Sequence, residues 1–233
     1  MRGRAFSYEL EKLYYSQKWP EEAKPYLHLE SYLRCWLDRD KVFVGKRVLD
    51  VGAGECTYTR LIADRFDPEE VVACELFRER MLPAVRVNRN PKLRFVSGNC
   101  FQLPFRGGSF DVVFGSFILH QIPDLDAIVG EVQRVLSDGG HYVGIEPNPY
   151  HPVHLYRYLL RNHSPNQYLL GPKHLAVFKN AGFEITIRYF YAKLPYMRNR
   201  FLGTCMGIVA KLNGVRSTRQ REGARSNDER SCG

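Results

Sequence analysis

The chain has 233 residues, 44% hydrophobic and 25% charged, enough apolar material for a full α/β core in one domain and too much for a disordered chain. Its longest apolar run, residues 201–210, is too short to span a bilayer, which excludes a membrane-spanning class and predicts a cytoplasmic protein, peripheral contact with a membrane remaining open. The formal net charge of +9 is uneven: residues 1–150 sum to −1, whereas 151–221 hold twelve Lys or Arg and one acid, a net of +11, which suits either a solvated face or an anionic partner such as a phosphorylated substrate, a membrane surface or RNA.

Residues 1–45 are rich in aromatic side chains, and Phe6, Leu10, Leu13 and Tyr14 fall near one helical face. A second helix is expected over Leu29–Leu37. Lys46–Cys56 (KRVLDVGAGEC) follows. Its apolar run, Val48, Leu49 and Val51, is punctuated by Asp50 and stops at Gly52-Ala53-Gly54. That pattern predicts a buried strand entering a tight turn, and Thr57–Phe66 continues with helical periodicity. Strand, glycine turn and helix make the first half of a βαβ unit. The glycines let a ligand approach the backbone, and the helix N-terminus offers unpaired N–H groups.

A second strand, Glu70–Leu76, ends in an acid, Glu75, about 20 residues after the turn, where a carboxylate accepts hydrogen bonds from ribose hydroxyls. The dinucleotide fingerprint wants a third glycine at position 57, and Thr57 stands there instead. Phe77–Val87 predicts a helix interrupted near its middle by Pro83. Leu93–Ser97 is the third strand, with Gly98-Asn99-Cys100 as its exit turn. The fourth strand is expected over Ser109–Phe117, and Ile118–Gln121 lies at its carboxyl end, the edge at which open α/β sheets bind ligands.

Leu125, Ile128, Val129, Val132, Val135 and Leu136 recur at helical spacing behind an Asp124 cap, with Gly139-Gly140 as the stop. His141–Ile145 is the fifth strand, followed by Glu146-Pro147-Asn148. The prolines at 149 and 152 delay the next helix to His154–Leu160. A capped turn is expected over Ser164–Gln167 and a further helix over Pro172–Asn180. Phe183–Ala192 and Phe201–Leu212 favour strand, and residues 215–233 have the composition of a disordered tail.

Taken in order, VLDVGAGECTYTRLIA, CEL, GNCFQLPFRGGSFDVVFGSFILHQIPD and EVQRVLSDGGHYVGIEPN resemble the class I S-adenosylmethionine-dependent methyltransferases, in the branch whose members act on small molecules, lipids, quinones and sugars. The resemblance covers about residues 46–212. It implies an α/β, Rossmann-like, doubly wound seven-stranded sheet, mostly parallel with a closing antiparallel hairpin. The expected layout is a lid over 1–45, a cofactor-binding core over 46–214 with a cap insertion near 149–172, and the tail. The implied cofactor, S-adenosyl-L-methionine, carries an ammonium and a sulfonium, which Asp50 suits better than it would a pyrophosphate. Asp50, Gly52, Ala53, Gly54, Glu75, Leu76, Asn99, Cys100, Phe101 and Ser116 are the implied cofactor-binding residues. Asn99 stands where the family usually has an aspartate, and its carbonyl keeps the capacity to accept from the adenine amine. Tyr8, Tyr14, Tyr15, His151 and Arg157 are the implied substrate contacts.

Methyl transfer needs alignment and, for acceptors of high pKa, a general base. His120 and Glu146, at the carboxyl ends of the fourth and fifth strands, are the candidates. The acceptor is expected to be a small metabolite, anionic or lipid-like, methylated at O, N, S or C. An RNA methyltransferase and a non-catalytic cofactor-binding scaffold are the alternatives. RNA is disfavoured because Gly115-Ser116-Phe117-Ile118 stands where amino-methylating enzymes carry Asn/Asp-Pro-Pro-aromatic. No metal is expected, since the histidines between 141 and 174 lack a ligand spacing. The six cysteines (Cys35, Cys56, Cys74, Cys100, Cys205, Cys232) form no Cys-x-x-Cys pair and are expected as free thiols in a reducing compartment.

Overall fold

The computed structural model describes residues 22, 30–37, 41–160, 170–171, 173–191 and 199–214. Helix α1 (Glu30–Leu37) precedes β1 (Arg47–Val51), α2 (Thr57–Arg65), β2 (Glu70–Glu75), α3 (Arg78–Val87), β3 (Leu93–Ser97) and β4 (Phe110–Ser116). A 3-10 turn (Leu119–Gln121) leads to α4 (Leu125–Val135), β5 (Leu136–Pro147), α5 (Pro152–Leu160), α6 (Ala176–Asn180), β6 (Phe183–Phe190) and β7 (Cys205–Leu212). The expectations for the first 29 residues, for 161–169 and for the tail lie outside the described residues.

The seven strands form one sheet in the order β3-β2-β1-β4-β5-β7-β6. The first five are parallel, and β7 runs antiparallel between β5 and β6. The fold class expected from the sequence is therefore the one observed. Because side chains alternate across a strand, β1 buries Val48 on one face and Leu49 and Val51 on the other. The first face packs with Leu33 and Leu37 of α1 and Tyr58, Leu61 and Ile62 of α2; the second packs with Ile128 and Val132 of α4 and Phe178 of α6. Each fully buried Leu, Ile or Phe contributes roughly 1.5–3 kcal/mol. Gly115 and Gly144 leave room for the ring of Tyr142, since a Cβ at either would come within 3.0 Å of its hydroxyl.

Several boundaries differ from expectation. Helix α3 runs through Pro83 without a break. Helix α4 ends at Val135 because Leu136 is already extended and pairs with Phe110. The two glycines expected to stop that helix instead sit inside β5, in an irregularity of the β4–β5 register, with Gly139 at φ +74°. Helix α5 starts at Pro152 itself, a position whose missing N–H costs a helix nothing. The helix expected over Pro172–Asn180 is only α6, the preceding turn being held by the Gly171 N–H on His174 Nδ1 at 3.0 Å. Strand β7 begins four residues later than expected because Asn199 Oδ1 accepts the N–H groups of Phe201 (2.8 Å) and Leu202 (3.0 Å) and curls that segment into a turn.

Candidate active site

The sheet order reverses between β1 and β4, and parallel strands place the ends of β1, β2, β4 and β5 on one edge. Open α/β sheets take their ligands at such a switch point. The turn leaving β1 is pinned there: the N–H groups of Gly52 and Ala53 both donate to the Cys74 carbonyl, at 2.8 and 3.1 Å. Gly52 (φ +67°) and Gly54 (φ +56°) occupy backbone conformations that strain other residues. A Cβ at Gly52 would run into Ile118, and one at Gly54 would meet the guanidinium of Arg80 at 2.9 Å.

Two buried acids flank this turn. Asp50 Oδ2 accepts the Thr59 hydroxyl at 2.5 Å, while Oδ1 is buried with no hydrogen-bond partner. Burial, opposed by the Thr59 bond and reinforced by the charge of Glu75, pushes the Asp50 carboxyl up to about 7. Glu75 accepts the Gly54 N–H (2.8 Å) on Oε2 and the Phe77 N–H (3.1 Å) on Oε1, and Arg80 Nη1 lies 3.9 Å from Oε2. A carboxylate has about four acceptor positions, so Glu75 retains capacity for further donors. Nothing in the sequence pattern pointed to Arg80; its place in the first turn of α3, beside Gly54, became evident only from the packing.

On the β3 exit turn, Asn99 Oδ1 accepts the Phe101 N–H at 2.9 Å. The carbonyl expected to face an adenine amine is thus also the one that shapes the turn. Cys100 and Phe101 are half-buried beside it. The described thiols of Cys56, Cys74, Cys100 and Cys205 are free; burial pushes Cys74 and Cys100 up to about 12, so neither is a nucleophile near neutral pH. Leu76 and Ser116, at the ends of β2 and β4, are half-buried.

Glu146 ends β5 inside the protein. Its Oε1 accepts the N–H groups of Ile118 (3.1 Å) and Leu119 (2.7 Å), and its Oε2 accepts the His120 N–H (3.4 Å) and faces His120 Nδ1 at 2.7 Å. With zero exposure and both oxygens engaged, the Glu146 carboxylate braces the turn over residues 118–120. A carboxylate facing Nδ1 places the ring proton there and leaves Nε2 as an acceptor. No group among the described residues engages Nε2. Phe117, just before this turn, takes φ +55°, rare for a non-glycine residue, and donates its N–H to Ile145 O at 2.7 Å.

Beyond β5, Asn148 is buried and ties two loops together: its Nδ2 donates to Arg200 O (2.7 Å) and Gly203 O (2.6 Å), and its Oδ1 accepts the Tyr150 N–H (3.0 Å). His151 Nδ1 is buried without a partner, and the His154 ring lies 5.2 Å away. Tyr8, Tyr14 and Tyr15 and the side chain of Arg157 lie outside the described residues. No group of three or more His, Cys, Asp or Glu able to hold a metal occurs among the described residues.

A family model described as a methyltransferase domain matches residues 49–144, the span from β1 into β5 that carries the glycine turn, both buried acids and His120. Residues 49–144 thus match a methyltransferase domain. The demethylmenaquinone methyltransferase of Beutenbergia cavernae is 38% identical over 113 residues, 48% of this chain and 45% of the relative. The chain spans about half the length of the curated relatives it matches. In fold, the domain resembles an S-adenosylmethionine-dependent methyltransferase from Thermotoga maritima (TM-score 0.65, 15% identity, 87% of this chain and 97% of that one). It also resembles Haemonchus contortus phosphoethanolamine N-methyltransferase 2, solved with S-adenosyl-L-methionine (TM-score 0.62, 17% identity, 78% and 52%). That second structure holds S-adenosylmethionine; here, the orphaned, buried Asp50 oxygen beside the Gly52-Ala53-Gly54 turn fits a cationic amino-acid portion.

Proposed function

We propose that this protein transfers a methyl group from S-adenosylmethionine to a small, lipid-like hydroxyaromatic acceptor of the quinone class, with His120 as general base. The observation that carries this reading is the 2.7 Å contact between His120 Nδ1 and the buried Glu146 carboxylate, at the edge that also bears the cofactor turn. The acceptor class is supported by the demethylmenaquinone methyltransferases among the relatives.

When bound, S-adenosylmethionine supplies an electrophilic methyl on a sulfonium. Asp50 would hold its ammonium and Glu75 its ribose hydroxyls. His120 Nε2 accepts the acceptor's O–H proton, which makes the oxygen and the conjugated ring carbons nucleophilic. Glu146 holds the ring orientation and balances the charge of the imidazolium that results. The rest of the work is alignment, for which the Glu146-braced turn provides a fixed floor.

His120→Gln is expected to lower kcat toward a soluble hydroquinone by about 10²–10⁴-fold, with cofactor affinity within about twofold of the parent protein. Turnover at the parent rate would remove His120 from the chemistry. Absence of methyl transfer to any hydroxyaromatic compound would contradict the acceptor class.

A further inference from the structure

Helix α5 has its polar contact on the inside: His154 Nε2 meets the Thr204 carbonyl at 3.0 Å. Its outward stripe is apolar. Pro152, Leu155, Tyr156 and Leu159 follow the three- and four-residue spacing of one helical face, and all four are exposed, Leu159 to 66%. A soluble helix normally turns such a stripe inward.

A second segment also exposes apolar side chains. The Asn199-capped turn before β7 projects Phe201 (62% exposed) and Leu202 (53%). The two segments are joined: Tyr150 stands 6.4 Å from the Phe201 ring, and the Arg200 guanidinium lies 4.0 Å over the Tyr150 ring. Asn148 bonds the backbone of the 199–203 turn from the loop that enters α5. Both segments extend from the β5–β7 pairing at Pro147 and Cys205, one residue beyond Glu146. Exposed large apolar side chains are thus concentrated beside the proposed site, within the part of the chain that carries a net of +11.

We propose that Leu155, Tyr156, Leu159, Phe201 and Leu202 form a docking surface for an anionic lipid bilayer. A nine-residue helix is about 14 Å long, too short to cross a membrane but long enough to lie in the interfacial plane with its apolar face in the acyl boundary. A tyrosine in the stripe suits the headgroup level. Arg200, stacked on Tyr150 between the two segments, and the basic excess of the sequence after residue 150 supply the attraction for acidic headgroups. The inference rests on the proposed acceptor class for its purpose, since a quinone with a lipid tail resides in the bilayer, but the surface itself is tested without any acceptor.

The test is co-sedimentation of the full chain with phosphatidylcholine vesicles containing about one third phosphatidylglycerol, at low and high salt. The comparison proteins are Leu159→Glu/Leu202→Glu and the uncharged Leu159→Ser/Leu202→Ser, with S-adenosylmethionine affinity and Tm measured alongside. The parent protein is expected to bind these vesicles, to bind pure phosphatidylcholine more weakly, and to release as salt rises. Both double variants are expected to lose vesicle affinity by at least about tenfold, with Tm and cofactor affinity unchanged. The proposal is overturned if the parent protein ignores anionic vesicles or if both variants bind as well as the parent. It is also overturned if light scattering shows a dimer that the substitutions dissociate while vesicle binding persists. Methylation of a tail-less hydroquinone reads the acceptor class separately: its absence with vesicle binding intact counts against that class and not against the surface.

Discussion

Asp50 links the site's electrostatics to pH. Its folded-state value of about 7 lies above the ordinary value of 3.8, so the folded protein holds this proton more tightly than the unfolded chain does. The contribution to stability is fully present below the unfolded value and is lost as pH rises toward 7, where a charge must be buried. Binding a cation reverses the preference, because a neighbouring ammonium stabilises the ionised carboxyl. Cofactor binding is therefore expected to release protons near pH 6 and to tighten as pH rises through about 7. Calorimetry in buffers of different ionisation enthalpy measures this. Asp50→Asn is expected to flatten the dependence, and a flat profile in the parent protein would show that Asp50 does not face the cofactor's charge. The type and position of Asp50 and Glu75 could be read from the strand-turn pattern alone. Their partners could not. Thr59 and Arg80 lie on helices whose rotation relative to β1 is set by packing, and the Glu146–His120 contact joins residues 26 positions apart.

At the scale of elements, the core strands were legible because apolar runs bounded by glycine are short and buried on both faces. The errors fall where tertiary pairing overrode local punctuation. Gly139 and Gly140 look like a helix stop, yet Leu136 is recruited by Phe110 and the strand begins before them. Gly140 has a different reason to be glycine: a Cβ would lie 2.9 Å from Ser137 O and 3.0 Å from Asp111 O. In the sequence Asn148 reads only as the end of Glu146-Pro147-Asn148, but its work is to hold the α5 entry loop to the turn before β7. Asn148→Ala leaves the Gly203 carbonyl buried without its donor, which costs about 1–3 kcal/mol. Urea denaturation is expected to show that loss, with the slope unchanged. Stability equal to the parent would mean that water replaces the side chain and the two loops are not coupled through it.

Across the whole molecule, charge and chemistry are divided along the chain. Residues 1–150, which carry the cofactor turn, are close to neutral, and the basic excess belongs to residues 151–221 of the sequence. Among the described residues no helix is long and apolar enough to cross a membrane. Calorimetric titration of S-adenosylmethionine into the parent protein and into Glu75→Ala tests the central claim most directly. One equivalent is expected to bind the parent. Hydrogen bonds to a charged acceptor are worth about 1.5–3 kcal/mol each, so the variant, assayed at a temperature where circular dichroism shows it folded because the Gly54 and Phe77 N–H groups lose their acceptor, should bind at least about tenfold more weakly. No binding to the parent protein, or equal affinity in the variant, would contradict the site as assigned.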